Sequence, residues 1–298
     1  MRREIGIGAV AEAVPMQAIV LGLVAFLCFG LLEGTAKYLG TLGFPLVAVV
    51  WFRYMGQVVL SGLMLGRASP IDVWRCARPR LQILRGLLLF GATAFNFTAI
   101  RYLRLDETGA INFAIPLLVA AFAVPVLGER VGPRRWAAIV VGFLGVLVIV
   151  RPTPELFQPA ALLSLAAATC GAFYVLLTRI VARTDGHLTS NLYAAVVGAA
   201  VTTPLVPFFW QQPVGWEWLL LAGLGLFGGL GHYLLTAAHR YAPAPVLAPL
   251  WYTQIVWLIG IGYLVFGDVP DSLTVTGAAI VVASGLYVSY RERRRGPR

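Results

Sequence analysis

Apolar residues in this chain come in runs of roughly twenty, the length a helix rising 1.5 Å per residue needs to cross about 30 Å of hydrocarbon. The runs fall at 16–36, 45–66, 81–102, 107–127, 134–151, 159–182, 188–209, 217–240, 245–267 and 272–290, with short polar turns between them. Each predicts a membrane-spanning helix. The ten spans divide five and five across a link from Arg151 to Pro159, which predicts one unit over 1–151 and a second over 152–298.

The stretch from Asp106 to Val150 is stated twice along the chain. Gly267 lies 139 positions after Gly128, and the same offset carries Ala99, Arg101 and Tyr102 onto Ala238, Arg240 and Tyr241, and Glu129 onto Asp268. Each A-x-R-Y string leads into an apolar span, a Gly-acid turn and a further span, the signature of a duplicated unit. An odd number of spans per copy makes the second copy enter from the opposite face. The expected fold is therefore an all-α integral membrane protein of ten transmembrane helices, built as two inverted five-helix repeats. Such repeats recur in secondary transporters, where two near-equal halves exchange packings.

The basic residues orient the chain. Seventeen of them, including Arg2, Arg3, Arg67, Arg75, Arg78, Arg80, Arg130, Arg134, Arg135, Arg179, Arg183, Arg240 and the tail from Arg291 to Arg298, fall on one face if the N-terminus is cytoplasmic. Only Lys37, Arg101, Arg104 and Arg151 fall on the other. The positive-inside rule then puts both termini in the cytoplasm of a bacterial inner membrane. The matching turns differ in charge: Gly128 to Arg135 is basic, and Gly267 to Asp271 has no positive residue.

Composition agrees and narrows the field. At 59% hydrophobic, 12% charged and mean hydropathy +0.81, there is too little polar surface to cover a soluble core. The net charge of +10 does not point to nucleic acid, because the basic residues sit singly in short turns. Cys28, Cys76 and Cys170 form no C-x-x-C, so no disulfide or metal role is expected. The apolar run opening near Met16 continues to Glu33 and Lys37 without a small-residue cleavage site, as in a retained first span.

Several strings resemble the drug/metabolite transporter superfamily, and specifically its ten-helix EamA-type members. Phe29-Gly30 through Lys37 is similar to the family's W-G-x(6)-K, and Trp51-Phe52-Arg53-Tyr54 to its aromatic-Arg-aromatic. Ala99 to Tyr102, and Pro116 through Leu127-Gly128-Glu129-Arg130 to Trp136, extend the resemblance, which covers essentially the whole chain. Phe29 replaces the usual Trp, and Asp268-Val269-Pro270 replaces a full E-R-L in the second copy. The resemblance implies an exporter of amino acids, other metabolites or toxic compounds, closest in character to bacterial exporters of amino acids, including aromatic ones.

Polar residues inside spans are costly and mark candidate sites. Glu33 and Lys37 stand at i,i+4 and are placed either in the transport path or in a simple pair, with Lys37 snorkelling to the interface. Arg53, with Gln57 on the same helical face and Tyr54 beside it, needs a partner; a substrate carboxylate and Glu33 are the alternatives, and a structural or gating pair is favoured because the resemblance places Arg there across unlike substrates. Pro116 deprives the Asn112 carbonyl of its helical donor, and Asn96 is expected to face the same space or to bond a neighbouring helix. In the second half Tyr174, His232, Tyr252 and Gln254 are candidates for a cavity lined by aromatic and hydrogen-bonding groups. Trp210, Trp216 and Trp218 read as interfacial anchors. Pro116 and Pro249 are candidate hinges.

Two matches are declined. Gly223-x-Gly225-x-x-Gly228 lies mid-span with no preceding strand, so its glycines are read as allowing close helix approach rather than binding a dinucleotide. Asp106 and Glu107 are read as capping a helix. His187, His232 and His239 have no metal-ligand spacing, and no nucleophile-base set stands out, so neither cofactor nor metal is expected and the chain is not read as an enzyme. The expected function is export of small metabolites, amino acids first, by alternating access, downhill or coupled to protons. The alternatives are multidrug export, a channel and an intramembrane enzyme. The expected partners are the substrate, protons and the bilayer, with a monomer favoured over a dimer.

Overall fold

The computed structural model describes residues 16–65, 76–128, 132–151, 158–241 and 247–293. Every regular element among them is helical: α1 (Met16–Thr41), α2 (Leu46–Leu65), α3 (Pro79–Ala99), α4 (Leu105–Asn112), α5 (Ile115–Leu127), α6 (Pro133–Val150), α7 (Ala160–Val181), α8 (His187–Thr202), α9 (Glu217–Tyr241), α10 (Gln254–Ile261) and α11 (Ser272–Arg293). Short 3-10 segments stand at Val206–Phe209 and Ala248–Thr253, and a π-turn at Gly262–Phe266. Six helices are long and apolar enough to cross a bilayer, with α4 and α5 forming one of them, and four shorter apolar helices bring the set to ten. A helix bonds its own backbone groups, which is why apolar runs of this length fold this way in lipid.

Local chemistry sets the helix ends. Pro79 and Pro133 open α3 and α6 at the first helical position, where no amide donor is needed. Glu107 accepts a hydrogen bond from the Arg104 backbone N–H at 3.0 Å and closes the start of α4, so the capping reading of that carboxylate holds. Gly128 ends α5 with φ +69°, and Gly267 ends the π-turn with φ +72°, a left-handed conformation natural only to glycine. These two glycines are the pair found at the 139-residue offset.

The fourth span is broken, and the ninth changes from 3-10 to α winding at the matching place. α4 stops at Asn112, Phe113 and Ala114 form a turn, and α5 restarts at Ile115 with Pro116 in its first turn. In the second half a 3-10 segment ends at Thr253 and α10 starts at Gln254. Ile115 and Gln254 are again 139 residues apart. The Phe113 and Tyr252 rings, which the offset equates, meet edge to face with centroids 5.3 Å apart.

Packing runs mostly between the two halves. α1 lies against α9 and α3 against α7; α2 also lies against α9, and α3 against α8. α2 meets α8, α6 meets α11, and α4 meets α10. Shifting the numbering by one repeat exchanges the first two contacts, exchanges the second two, and returns each of the last three to itself. Small residues permit the approaches. Gly56 on α2 and Gly225 on α9 touch backbone to backbone, and a Cβ on either would overlap the other's Cα. Gly229 faces Leu60 and Gly231 faces Phe29. Of the declined dinucleotide pattern, Gly225 therefore serves close helix packing, a Cβ on Gly228 would make ordinary contact with Arg53 and Leu32, and one on Gly223 would meet only Phe227 of its own helix.

Glu129, Arg130, Pro243, Pro245, the arginines at 2, 3, 67 and 75, and the tail from Arg294 lie outside the described residues, as do the side chains of Arg135, His187, His239, Arg240 and Pro249.

Candidate functional site

Glu33 lies on α1 one turn before Lys37, yet the two do not pair. Gln254 Nε2, at the start of α10, donates to Glu33 Oε1 at 3.1 Å, while Glu33 Oε2 is buried without a hydrogen bond although the Asn96 side chain stands beside the carboxylate. Lys37 Nζ reaches Asp268 Oδ2 at 3.0 Å and the Leu103 carbonyl at 3.2 Å, and stands 4.7 Å from the centre of the Phe266 ring. The expected i,i+4 pair is thus replaced by contacts to other elements. The physical reason is modest competition: an i,i+4 pair is worth only about 0.2–0.5 kcal/mol, less than a part-buried carboxylate together with a carbonyl for one ammonium.

Arg53 projects from α2 and is 4% exposed. Its guanidinium lies over the Tyr54 ring at 4.3 Å, and Nε and Nη1 are buried without a hydrogen-bond partner. The favoured structural pair with Glu33 is not formed: Glu33 Oε1 takes Gln254, and neither Arg53 Nε nor Nη1 reaches Oε2. Four residues on, Gln57 is 2% exposed and its Oε1 is also unpartnered. Tyr54 itself is fully buried, with its hydroxyl 3.0 Å from Thr93 Oγ1.

Asn112, the last residue of α4, donates to Asn96 Oδ1 on α3 at 2.9 Å, so the helix break is stitched to its neighbour in the way an isolated asparagine in a span usually is. Tyr252 is buried with an unpartnered hydroxyl pressed against Gly285 of α11, and Trp257 Nε1 is likewise buried and unpartnered. His232 on α9 stacks edge to face on Phe29 at 5.1 Å. Among the described residues, six of the nine buried unpartnered side-chain atoms therefore belong to α1, α2, the 3-10 segment before α10, and α10; the other three are Arg101 Nε, Arg151 Nε and Ser164 Oγ on α7. Tyr174 stands apart from this set because its hydroxyl is taken by Arg85. Trp210, Trp216 and Trp218 are exposed, as anchors are.

Arg85 was not singled out from the sequence. It lies inside the third span at 2% exposure, and a buried arginine in an apolar run was the available signal. Nε donates to Thr178 Oγ1 at 2.7 Å, Nη1 to the Ser190 carbonyl at 2.7 Å and Gln82 Oε1 at 3.2 Å, and Nη2 to the Tyr174 hydroxyl at 2.9 Å. Gln82 Nε2 continues to Asp185 Oδ2 at 2.8 Å and Ser190 Oγ at 2.9 Å, and Asp185 Oδ1 accepts from the Ala77 backbone N–H at 2.8 Å.

The opposite end of the bundle carries ion pairs. Arg151 and Asp271 bond directly, Arg104 Nη1 lies 3.9 Å from Asp271, and Arg104 Nη2 pairs with Asp106 at 2.6 Å. The hydrogen bond from Arg151, then that from the Thr274 backbone N–H, hold the Asp271 carboxyl well below the usual carboxylate range, and Arg151 is raised in turn by Asp271. Lys37, Arg104 and Arg151, expected together on one face, do gather at one end. The turn that lacks positive charge, Gly267 to Asp271, is the one they pair with. A cavity of about 640 Å³ at this end, lined by Tyr102, Gln158, Pro159, Ala160 and Leu163, includes none of the candidate residues, and we place the site by the buried polar atoms instead. Among the described residues, no three of His, Cys, Asp and Glu come together as a metal site.

Comparison with known proteins gives a consistent set. The family model described as the EamA-like transporter family matches residues 16–151 and again 158–290. An S-adenosylmethionine uptake transporter of Rickettsia felis is 31% identical over 87% of each chain. A riboflavin transporter of Vibrio cholerae is 27% identical over 95% of this chain and 96% of its own. A pseudopaline exporter of Pseudomonas aeruginosa is 26% identical over 92% and 96%. A solved crystal structure at 20% identity, covering 95% of this chain and 99% of that one, superposes with a TM-score of 0.65, a likeness of fold.

Proposed function

The chain belongs to the EamA-like transporter family and is a multi-pass membrane transporter rather than an enzyme, and from that premise we propose that it carries small metabolites, amino acids and their derivatives first, by alternating access between two inverted halves, 1–151 and 152–298. The observation that carries this reading is a pair of irregular spans: the fourth is interrupted at Phe113 and Ala114, the ninth changes from 3-10 to α winding at the equivalent residue, and the two irregularities meet through Phe113 and Tyr252. Interrupted helices facing each other near the middle of a span are where carriers of this kind place their substrate. The exchange of helix contacts between the halves supports the repeat, and Pro116 and Pro249 mark the hinges.

Export across a bacterial inner membrane, with both termini cytoplasmic, is the direction the family resemblance favours. The relatives that take up S-adenosylmethionine or move riboflavin favour a second reading, import of a larger metabolite. S-adenosylmethionine is itself an amino-acid derivative, so the two readings share a chemistry. Proton coupling, where present, is assigned to Glu33. The test is flux of a labelled panel of amino acids, S-adenosylmethionine and riboflavin in proteoliposomes, with and without a pH gradient. Saturable flux stimulated by substrate on the far side is expected. Unsaturable flux indicates a pore, and cross-links that hold the halves together at one end without slowing flux overturn alternating access.

A further inference from the structure

Two arginines lie buried in neighbouring spans of the same half, and their hydrogen-bonding states are opposite. Arg85 spends its donors on Thr178, Gln82, Ser190 and Tyr174. Arg53 is as deeply buried, yet Nε and Nη1 have no acceptor. An unpaired buried donor on a charged group is costly and persists where another molecule supplies the acceptor. Next to it the orphaned atoms change sign. Gln57 Oε1, one turn further along the same face of α2, is an acceptor without a donor, and Glu33 Oε2 on α1 makes no hydrogen bond, with the Asn96 side chain of α3 beside the carboxylate. The two helices meet a common neighbour at Gly228 of α9: a Cβ there would stand 3.6 Å from both Arg53 Cγ and Leu32 Cδ2, and Leu32 adjoins Glu33.

We propose that Arg53, Gln57 and Glu33 form a site for an α-amino-acid headgroup, with the carboxylate taken by Arg53 and the ammonium by Gln57 Oε1 and Glu33 Oε2. The inference rests on the carrier reading and names its substrate class as zwitterions that bear a free α-carboxylate. The planar fork of arginine suits a carboxylate, and one group of donors beside two acceptors is the complement of a zwitterion. Gln254, which holds Glu33 Oε1, orients the carboxylate from the second half, so the headgroup site is completed by residues of both halves. A substrate without a carboxylate leaves Arg53 unpaired and is rejected on that ground.

The test is equilibrium binding to the purified full chain in detergent, run alongside flux in proteoliposomes. The probes are L-phenylalanine, L-methionine and S-adenosylmethionine, each against its decarboxylated amine, with riboflavin as a carboxylate-free comparator. Wild type is expected to prefer at least one carboxylate form over its amine by about 10- to 100-fold. Arg53→Gln is expected to collapse that ratio to near one, and Arg53→Lys, which keeps the charge and loses the fork, to retain part of it. Glu33→Gln is expected to weaken the amino acid while leaving 3-phenylpropionate unaffected. Equal binding of acid and amine, no binding of any acid, preference for riboflavin, or an unchanged ratio in a folded Arg53→Gln or Arg53→Lys overturns the site. Flux without carboxylate preference leaves carriage standing and removes the site. Carboxylate-selective binding without flux does the reverse.

Discussion

The two ends of the bundle both tie residues 1–151 to residues 152–298, and they do so with different chemistry. At one end Lys37, Arg104 and Arg151 of the first half reach Asp268 and Asp271 of the second, in part-exposed ion pairs. At the other, Arg85, Gln82 and the Ala77 amide reach Tyr174, Thr178, Asp185 and Ser190 through a buried hydrogen-bond network. Exposed ion pairs are worth about 0–1 kcal/mol each and weaken with salt. A buried guanidinium that loses its acceptors is left with donors that cost about 1–3 kcal/mol or more to strand. Under the proposed alternating access the two ends open in turn. On that proposal the difference predicts that the ion-paired end is the easier to open, and that the buried network favours closure at its own end.

Breaking the buried network has the largest expected effect. Arg85→Met removes four hydrogen bonds and strands the Gln82 and Tyr174 side chains, for a loss of about 2–4 kcal/mol in stability. Thermal unfolding in detergent measures it. If the variant folds, it should also label faster at a cysteine placed near Asp185 in an otherwise cysteine-free background, because that end now opens. A variant with wild-type stability and labelling would mean that the network does not hold the end shut.

The Lys37–Asp268 pair is expected to be intermediate. It is more enclosed than the two pairs made by Asp271, and Lys37 also meets a carbonyl and an aromatic face. A double-mutant cycle of Lys37→Met and Asp268→Asn should return a coupling of about 1 kcal/mol, and both single variants should raise labelling at the ion-paired end. Zero coupling in stability and in labelling would remove this pair from the comparison.

How much of this was legible in the sequence follows from the range of each interaction. The ten spans and the break at Pro116 are local, set by runs of apolar residues and by one missing amide donor, and they were readable. The 139-residue offset was readable because it is the same for Ala99, Arg101, Tyr102, Gly128 and Glu129; that it marks two inverted repeats belongs to the proposed function. The partners of Lys37 and Arg151 were not, because 231 and 120 residues separate them from Asp268 and Asp271, and a charge on a span finds whichever opposite charge the assembled end brings near. Arg53 and Arg85 look alike as sequence, each one arginine in an apolar run. Only the assembled neighbours, four acceptors around one and none at two nitrogens of the other, tell them apart.

The smallest expected effect is at Asp271, and its sign with pH can be worked out. Arg151 and the Thr274 amide depress the folded-state pKa below the ordinary carboxylate value. The stabilisation is therefore present above the unfolded pKa, about 4, and is lost as pH falls through the depressed folded value. Between pH 5 and 8 the pair should not titrate, so any change in opening of this end over that range must come from another group. Asp271→Asn should cost about 0.5 kcal/mol, and raising salt should reproduce most of that loss in wild type while leaving the Arg85 end unmoved. Arg151 adds a backbone contribution: its φ of +49° is left-handed, a conformation a non-glycine residue holds at a cost, and the bond to Asp271 helps to keep it there. Arg151→Gly should therefore lose the ion pair yet recover part of its cost through relief of the backbone, and be milder than Asp271→Asn; labelling of the two variants across a salt series, with equal or reversed effects as the contrary result, decides whether strain at this one residue offsets the loss of its link to Asp271.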